Sequence, residues 1–504
     1  MSTVAAGVRR FKDAPDYRKN MIRREQVDPY LIAGRDFIPD DEIARLLAAA
    51  PPPGTSRARD IIARSLAIET LTPEETATLL RVDDPALLEE MTTAAWQVKH
   101  KVYDNRIVTF APLYVSNFCL NRCAYCGFAG DNARQQRRRL DMADVRREVE
   151  VLAGRIGHKR LIVVYGEHPD SSTDYIAETI ATIYGTSVPT RRGTGQIRRV
   201  NVNAAPLPIE DLRVLKQAGI GTFQVFQETY HHDTYRRVHP SGSPKADYAW
   251  RVTCMHRAME AGVDDVGLGV LFGLYDWRFE VLGLLFHARE LERRFGIGPH
   301  TISFPRLEPA SGSSLAADST WRVSDADFLK LVTVLRLALP YTGMIVTARE
   351  TRGLRGGAIR RGCTQMDAST RIGVGSYADG TTGQEQDRQQ FMLGDTRSLE
   401  ELICDLALGG MITSFCTAGY RCGRTGACIM DALKNGREGK FCKVNAVLTF
   451  REWLDDFATP AALEICAPVL ARELDEISAQ LPMFYPTVRE AYDRIEKGER
   501  DIFF

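Results

Sequence analysis

The 504-residue chain lacks a net charge: Lys and Arg total 65, and so do Asp and Glu. That balance argues against nucleic acid or a membrane surface as a partner recruited by bulk charge. No run of 18 or more apolar residues exists, so no membrane-spanning helix is expected. The opening MSTVAAGVRRFKDAPDYRKN has no apolar stretch leading to a cleavage site. No signal peptide is therefore expected, and the expected location is cytoplasmic. Sequence repeats and low-complexity tracts are also missing. What is there is ordinary globular composition, 44% apolar and 26% charged, with ample material for a core. The chain has eleven cysteines. In a reducing compartment, clustered cysteines favour metal or redox chemistry over disulfides.

Residues 1–105 read as a helical extension. DDEIARLLAAA has helical apolar spacing, and PPPGTS breaks it. Thr72 before Pro73, with Glu75 three residues on, predicts a capped helix start. Residues 106–394 then alternate between β-rich runs and helical stretches. The runs are 107–116, 159–167, 198–205, 222–230, 265–273, 300–307, 343–350 and 363–370, the last being barely β-rich. Such alternation predicts an α/β fold with a parallel sheet, closed as a (β/α)8 TIM barrel. SVPTRRGTGQ (187–196) reads as a flexible basic loop. Residues 395–504 read as a C-terminal helical domain.

CLNRCAYCGF carries Cys119, Cys123 and Cys126 directly after the first predicted strand. Loops at the C-terminal ends of barrel strands are where such folds place their chemistry. Three thiolates on a short loop suit a 4Fe–4S cluster and leave one iron free for a substrate or cofactor. The same spacing also fits cysteines buried on one helix face. A zinc site fits too, though it needs a fourth ligand.

This C-x3-C-x2-C, with Tyr125 before its last cysteine, resembles the signature of the radical S-adenosylmethionine superfamily. The resemblance implies a 4Fe–4S cluster and S-adenosylmethionine as cofactors, with Tyr125 against the adenine. Gly166-Glu167 in YGEHP resembles the motif for the methionine amino group, and Gly269 in VGLGVLFG falls on the adenine-contact strand. GEHP, RRVNVNAAPL, GIGTFQVFQETYH, GPHTISFPRLEPA and ALPYTGMIVTARE further resemble the HydG family, tyrosine lyases that mature FeFe-hydrogenase. That implies cleavage of the Cα–Cβ bond of L-tyrosine to p-cresol and dehydroglycine. It also implies an electron donor such as flavodoxin or ferredoxin. Arg306 in FPRLEP is placed to clamp an amino-acid carboxylate, or else to pair with Glu308. Glu228, beside Gln227 at the end of the fourth strand, is placed for the cofactor's ribose hydroxyls, or is a strand-end polar residue. Tyr230 and His231 are read as supporting groups.

SFCTAGYRCGRTGAC and GKFCKVNA hold Cys416, Cys422, Cys428 and Cys442. The HydG resemblance implies a second iron–sulfur cluster here, on a C-x2-C-x22-C pattern. Cys416 and Cys442 match its outer ligands, but its middle ligand falls on Gly419. The expectation is a second cluster that is absent or altered. The alternative is that Cys422 or Cys428 substitutes. The resemblance also matches His287 to a histidine that holds an extra iron; otherwise it is a semi-buried helix histidine. Without the second cluster the CO- and cyanide-forming step is lost, and dehydroglycine is released. Other readings are a lyase for another aromatic amino acid such as tryptophan, a cluster carrier, and a zinc-binding interaction protein.

Overall fold

In the computed structural model, the described residues are 14–49, 54–380, 383–423, 426, 428 and 438–504. All eight predicted runs contain strands. They are β1 (Arg106–Ser116), β2 (Arg160–Tyr165), β5 (Arg199–Asn203), β6 (Phe223–Gln224), β7 (Val266–Gly269), β8 (Thr301–Ser303), β9 (Gly343–Val346) and β10 (Gln365–Asp367). Each pairs in parallel with the next, and β10 returns to β1 through Val108–Gln365, Thr109–Met366 and Phe110–Asp367. The weakest β signal, CTQMDAST, thus supplies the strand that closes the barrel. Every residue of β1 is buried, as expected for a strand covered on both faces. Its alternate residues Phe110, Pro112, Tyr114 and Ser116 line the barrel's interior cavity.

The basic segment at 187–196 is not an open loop. It forms a hairpin, β3 (Ser187–Pro189) with β4 (Thr194–Gln196). Gly195 packs against the Ala153 carbonyl and Gly154 against Val188, so neighbouring chain fixes the hairpin. A ninth parallel strand, β11 (Ile412–Ser414), pairs with the start of β1 at Arg106, Ile107 and Val108.

The N-terminal helices cover one flank. Thr72 and Glu75 form the expected reciprocal capping box. The helices Thr55–Leu66, Pro73–Leu80 and Pro85–Tyr103 pack on the barrel helix Asp325–Ala338. At the other end, the helix Glu438–Phe457 packs on β11 and on two further helices, Pro460–Gln480 and Tyr485–Glu496. Its fully buried Glu452 pairs with Lys159 at 3.1 Å and Arg198 at 2.7 Å, just before β2 and β5. Removing one member of a buried ion pair costs about 3–5 kcal/mol, so this cluster clamps the C-terminal helices to the barrel. No described helix is long and apolar enough to cross a membrane.

His232 fastens the N-terminal extension to the loop after β6. Its ring nitrogens stand 3.0 Å from Asp36 and 2.7 Å from Asp40. Burial alone would lower its pKa, but the hydrogen bonds it donates to Asp36 and Asp40 outweigh that and raise His232 to about 9. A raised folded-state pKa stabilises below the unfolded value of about 6.5, and the gain is lost as pH rises through 9. The melting temperature of the wild type should therefore fall between pH 6.5 and 9.5 more steeply than that of His232→Asn. Parallel curves would rule the latch out.

Candidate active site

The barrel cavity opens at the C-terminal ends of the strands. Cys119, Cys123 and Cys126 all line it, together with Tyr125, Gly166, Glu167 and Glu228. The turn Cys123–Cys126 is closed by a 3.2 Å backbone hydrogen bond, and the Gln390 amide stands 3.3 Å from the Cys126 sulfur. Burial raises the Cys119 thiol to about 11, and Cys126 and Glu167 nearby add to this. Burial also raises Cys123, against the pull of Lys245. Among the described residues no three His, Cys, Asp or Glu side chains surround a single metal position. A four-iron cube does not ask for that, because it takes one thiolate per iron. Iron would also bind these thiols as thiolates and relieve their mutual repulsion, so the loop fits such a cluster.

The groups around the loop suit an amino acid and a nucleoside. Glu167 is buried and accepts the Asn121 amide at 2.5 Å. Burial raises its pKa, so an ammonium beside it would restore its charge. A Cβ on Gly166 would overlap the Phe118 carbonyl oxygen, and one on Gly269 would overlap the Phe226 ring. Both glycines are therefore required by close approach. The Tyr125 hydroxyl stands 2.8 Å from His239 Nε2. The other nitrogen of His239 lies 3.0 Å from the Tyr235 carbonyl. Burial, then Lys245 and Arg251, hold His239 neutral. Nδ1 therefore carries the proton, and Tyr125 donates to Nε2. This fixes the edge of the tyrosine ring in the cavity wall.

Glu228 pairs with Lys245 at 2.6 Å and Arg251 at 3.6 Å. Burial opposes its charge, but these two cations lower its pKa. Arg306 is placed differently from the expectation. Its guanidinium does not line the cavity; it grips Glu350, pairs with Asp325 at 2.9 Å and donates to the Val323 carbonyl at 2.8 Å. The partner is not Glu308 either. The cavity's uncommitted guanidinium belongs to Arg349, next to Glu350. It lies 3.3 Å from the Phe391 ring centre and makes no ion pair or side-chain hydrogen bond among the described residues. The sequence carried a signal for it: Arg349 is the third residue of TARE, just past the C-terminal end of a barrel strand, where a charged residue reads as functional. Lys245, Arg251 and Asn121 had no such mark: Asn121 lies in a loop, Lys245 in a one-turn helix and Arg251 in the short helix Tyr248–Val252.

The C-terminal cysteines lie at the opposite, N-terminal end of β1. Cys442 and Cys416 both act on the buried Arg106. Burial would lower that guanidinium's pKa, and the two sulfurs raise it. Cys416 has a left-handed φ of 46°. Gly419 lies in the short helix Ala418–Arg421; Cys422, just past its end, and Cys428 are exposed. The structure thus brings Cys416 and Cys442 to Arg106 and leaves Cys422 and Cys428 at the surface. His287 stands elsewhere. Its ring neighbours are Phe37, Tyr230 and His256, and its Nδ1 lies 3.0 Å from the Tyr230 hydroxyl. His231 stacks on Tyr275 at 3.8 Å, outside the cavity lining.

A closed parallel barrel with a three-cysteine loop after its first strand defines a class, the radical S-adenosylmethionine enzymes. Residues 113–282 match the Radical SAM superfamily, and residues 303–412 match the Biotin and Thiamin Synthesis associated domain. The 2-iminoacetate synthase of Escherichia coli (strain K12) is 30% identical over 352 residues, 69% of this chain and 88% of that protein. Among solved structures, a HydG described as a maturase of the [FeFe]-hydrogenase is 46% identical, with a TM-score of 0.87. That match covers 93% of this chain and all of the other. HydG from Carboxydothermus hydrogenoformans is 34% identical, with a TM-score of 0.74, over 94% of this chain and 99% of the other. The chain belongs to the radical S-adenosylmethionine superfamily, and within it to the HydG-like carbon–carbon lyases.

Gly166→Ala should weaken S-adenosylmethionine binding by about tenfold or more, because a backbone carbonyl oxygen gives way far less than a side chain. The iron content of the anaerobically reconstituted protein should stay unchanged. Equal affinity, measured by calorimetric titration, would show that the Gly166 turn does not face the cofactor.

Proposed function

We propose that this chain cuts the Cα–Cβ bond of L-tyrosine, giving p-cresol and 2-iminoacetate (dehydroglycine), and that the later CO- and cyanide-forming step is lost or altered. The observation that carries the first half is Arg349. It is a guanidinium in the cavity lining with no ion pair among the described residues, and a substrate carboxylate would complete it bidentately. Phe110, Ile162 and Ile345 form a small apolar cluster of their own that also lines the cavity, a fitting surface for an aromatic ring. The relatives named 2-iminoacetate synthases support the product.

Cys119, Cys123 and Cys126 would hold the cluster, and Glu167, Glu228 and Tyr125 the S-adenosylmethionine. When bound, that pair supplies, on one-electron reduction, a radical that takes a hydrogen atom from the substrate. The chain's own work is to fix the substrate carboxylate, hold the ring and keep water out. A small acidic electron carrier of the flavodoxin or ferredoxin kind would supply the electron. The loss of the second step is supported by Gly419, which has no side chain to ligate, and by the exposure of Cys422.

The test is an anaerobic turnover with labelled tyrosine, S-adenosylmethionine and a strong reductant, with p-cresol, CO, cyanide and glyoxylate all quantified. Glyoxylate with p-cresol, and neither CO nor cyanide, is the expected outcome. CO and cyanide in amounts matching p-cresol would show that the C-terminal cysteines still support the full reaction. Deoxyadenosine without p-cresol would mean a different substrate, with tryptophan the first to try.

Two arginine variants separate their roles. Arg349→Lys should raise the KM for tyrosine by about tenfold or more, since lysine lacks the planar fork, and leave the melting temperature close to wild type. Arg306→Ala should instead lower stability by about 3–5 kcal/mol, because buried Glu350 loses its partner. An unchanged KM in Arg349→Lys would return the clamp to another residue.

A further inference from the structure

Glu228 has a φ of 73°, in the left-handed region that disfavours a residue with a side chain. Lys245 and Arg251 hold its carboxylate, but they do not set the backbone that aims it. On one side of the turn, the Glu228 carbonyl accepts the Leu271 amide at 2.9 Å, and the Gln227 amide donates to Gly269 at 2.9 Å. On the other side, Thr229 and Tyr230 meet one stripe of the helix Trp277–Phe295.

That stripe is Glu280, Gly283 and His287, spaced three and four residues apart and so on one face. Glu280 is fully buried, and both its oxygens are committed to the loop. One accepts the Tyr230 amide at 2.7 Å, and the other accepts the Thr229 hydroxyl. Gly283 allows the approach, since a Cβ there would stand 2.5 Å from the Tyr230 Cβ. His287 meets the Tyr230 hydroxyl at 3.0 Å. None of the three lines the cavity. A buried carboxyl whose two oxygens both face the residues directly after a left-handed glutamate serves that glutamate's orientation.

We infer that Glu280 is a positioning residue for S-adenosylmethionine, holding Thr229 and Tyr230 so that Glu228 points into the cavity. This rests on the reading that Glu228 binds the cofactor's ribose hydroxyls. Glu280 does not line the cavity, so it acts on the cofactor only by way of Glu228. The same stripe gives His287 a role by its neighbours: it braces Tyr230.

The experiment measures S-adenosylmethionine dissociation constants by calorimetry on cluster-loaded protein, with melting temperatures alongside. Glu280→Ala should weaken binding by about tenfold, while Glu280→Gln, which keeps an acceptor for the Tyr230 amide, stays within about threefold. In a Glu228→Gln background, Glu280→Ala should add less than about threefold, because coupled residues are not additive. A Glu280→Ala protein with a lower melting temperature but wild-type affinity overturns the inference, and so does a full tenfold loss repeated in the Glu228→Gln background. If Glu280→Ala does not fold, Thr229→Val removes one of the two bonds at constant shape, and unchanged affinity there overturns it equally. Wild-type affinity in Glu228→Gln itself overturns the ribose reading, and the inference with it. Weakened Glu228→Gln with unaffected Glu280 variants overturns the inference alone.

Discussion

Both sulfur sites depend on the parallel pairing of β1. The strand pairs with β2, β10 and β11 along its eleven residues. Its C-terminal end runs into the loop of Cys119, Cys123 and Cys126. Its first residue, Arg106, sits beside Cys416 and Cys442. At roughly 3.3 Å per residue these ends are on the order of 30 Å apart. A one-residue slip in register would turn Phe110, Pro112, Tyr114 and Ser116 out of the cavity together. Closure by β10 and the added pairing with β11 both act at the N-terminal half, so the half that carries the cluster loop rests on a strand already fixed.

The charged groups of the cavity are not all paired with one another: its third carboxylate, Asp367, pairs instead with Arg355 at 3.3 Å. Glu167 and Glu228 face Lys245, Arg251 and Arg349. Lys245 and Arg251 pair with Glu228; Arg349 feels Glu228 and Glu308 at longer range but forms no ion pair among the described residues. An arginine held this way is costly unless a ligand completes it. Glu167 is the mirror case, a buried carboxylate whose one side-chain bond among the described residues comes from the Asn121 amide. One uncommitted cation and one unpaired carboxylate in a single cavity match the two ends of amino-acid groups, one from the cofactor and one from the substrate.

The sequence reveals the barrel because strand–helix alternation is a local signal, and it reveals the cysteine loop because its three cysteines fit in eight residues. Gly166, Glu167 and Gly269 were legible for the same reason: each sits at or just past the end of a strand. Arg306 was misplaced because strand-end position does not say which way a long side chain turns. Glu350, 44 residues on, takes its guanidinium, and that pairing exists only once β8 and β9 lie side by side. The hairpin at 187–196 was hidden by its charges, which read as solvent-facing loop. Its ordering comes from contacts with Ala153 and the C-terminal Arg500, both distant in sequence.

The C-terminal site shows why one substitution is not repaired by a neighbouring cysteine. Cys422 follows Gly419 by three residues, and its amide bonds back to the Ala418 and Gly419 carbonyls at 3.1 Å. A helical turn carries it about 4.5 Å further along the axis, and its thiol is exposed while Cys416 and Cys442 face inward. Bringing it in would mean unwinding that turn and giving up those two bonds. Arg106 meanwhile keeps its place between the two remaining sulfurs, and one of its terminal nitrogens has no hydrogen-bond partner. Two cysteines beside Arg106 are one ligand short of the pattern that the family resemblance implies.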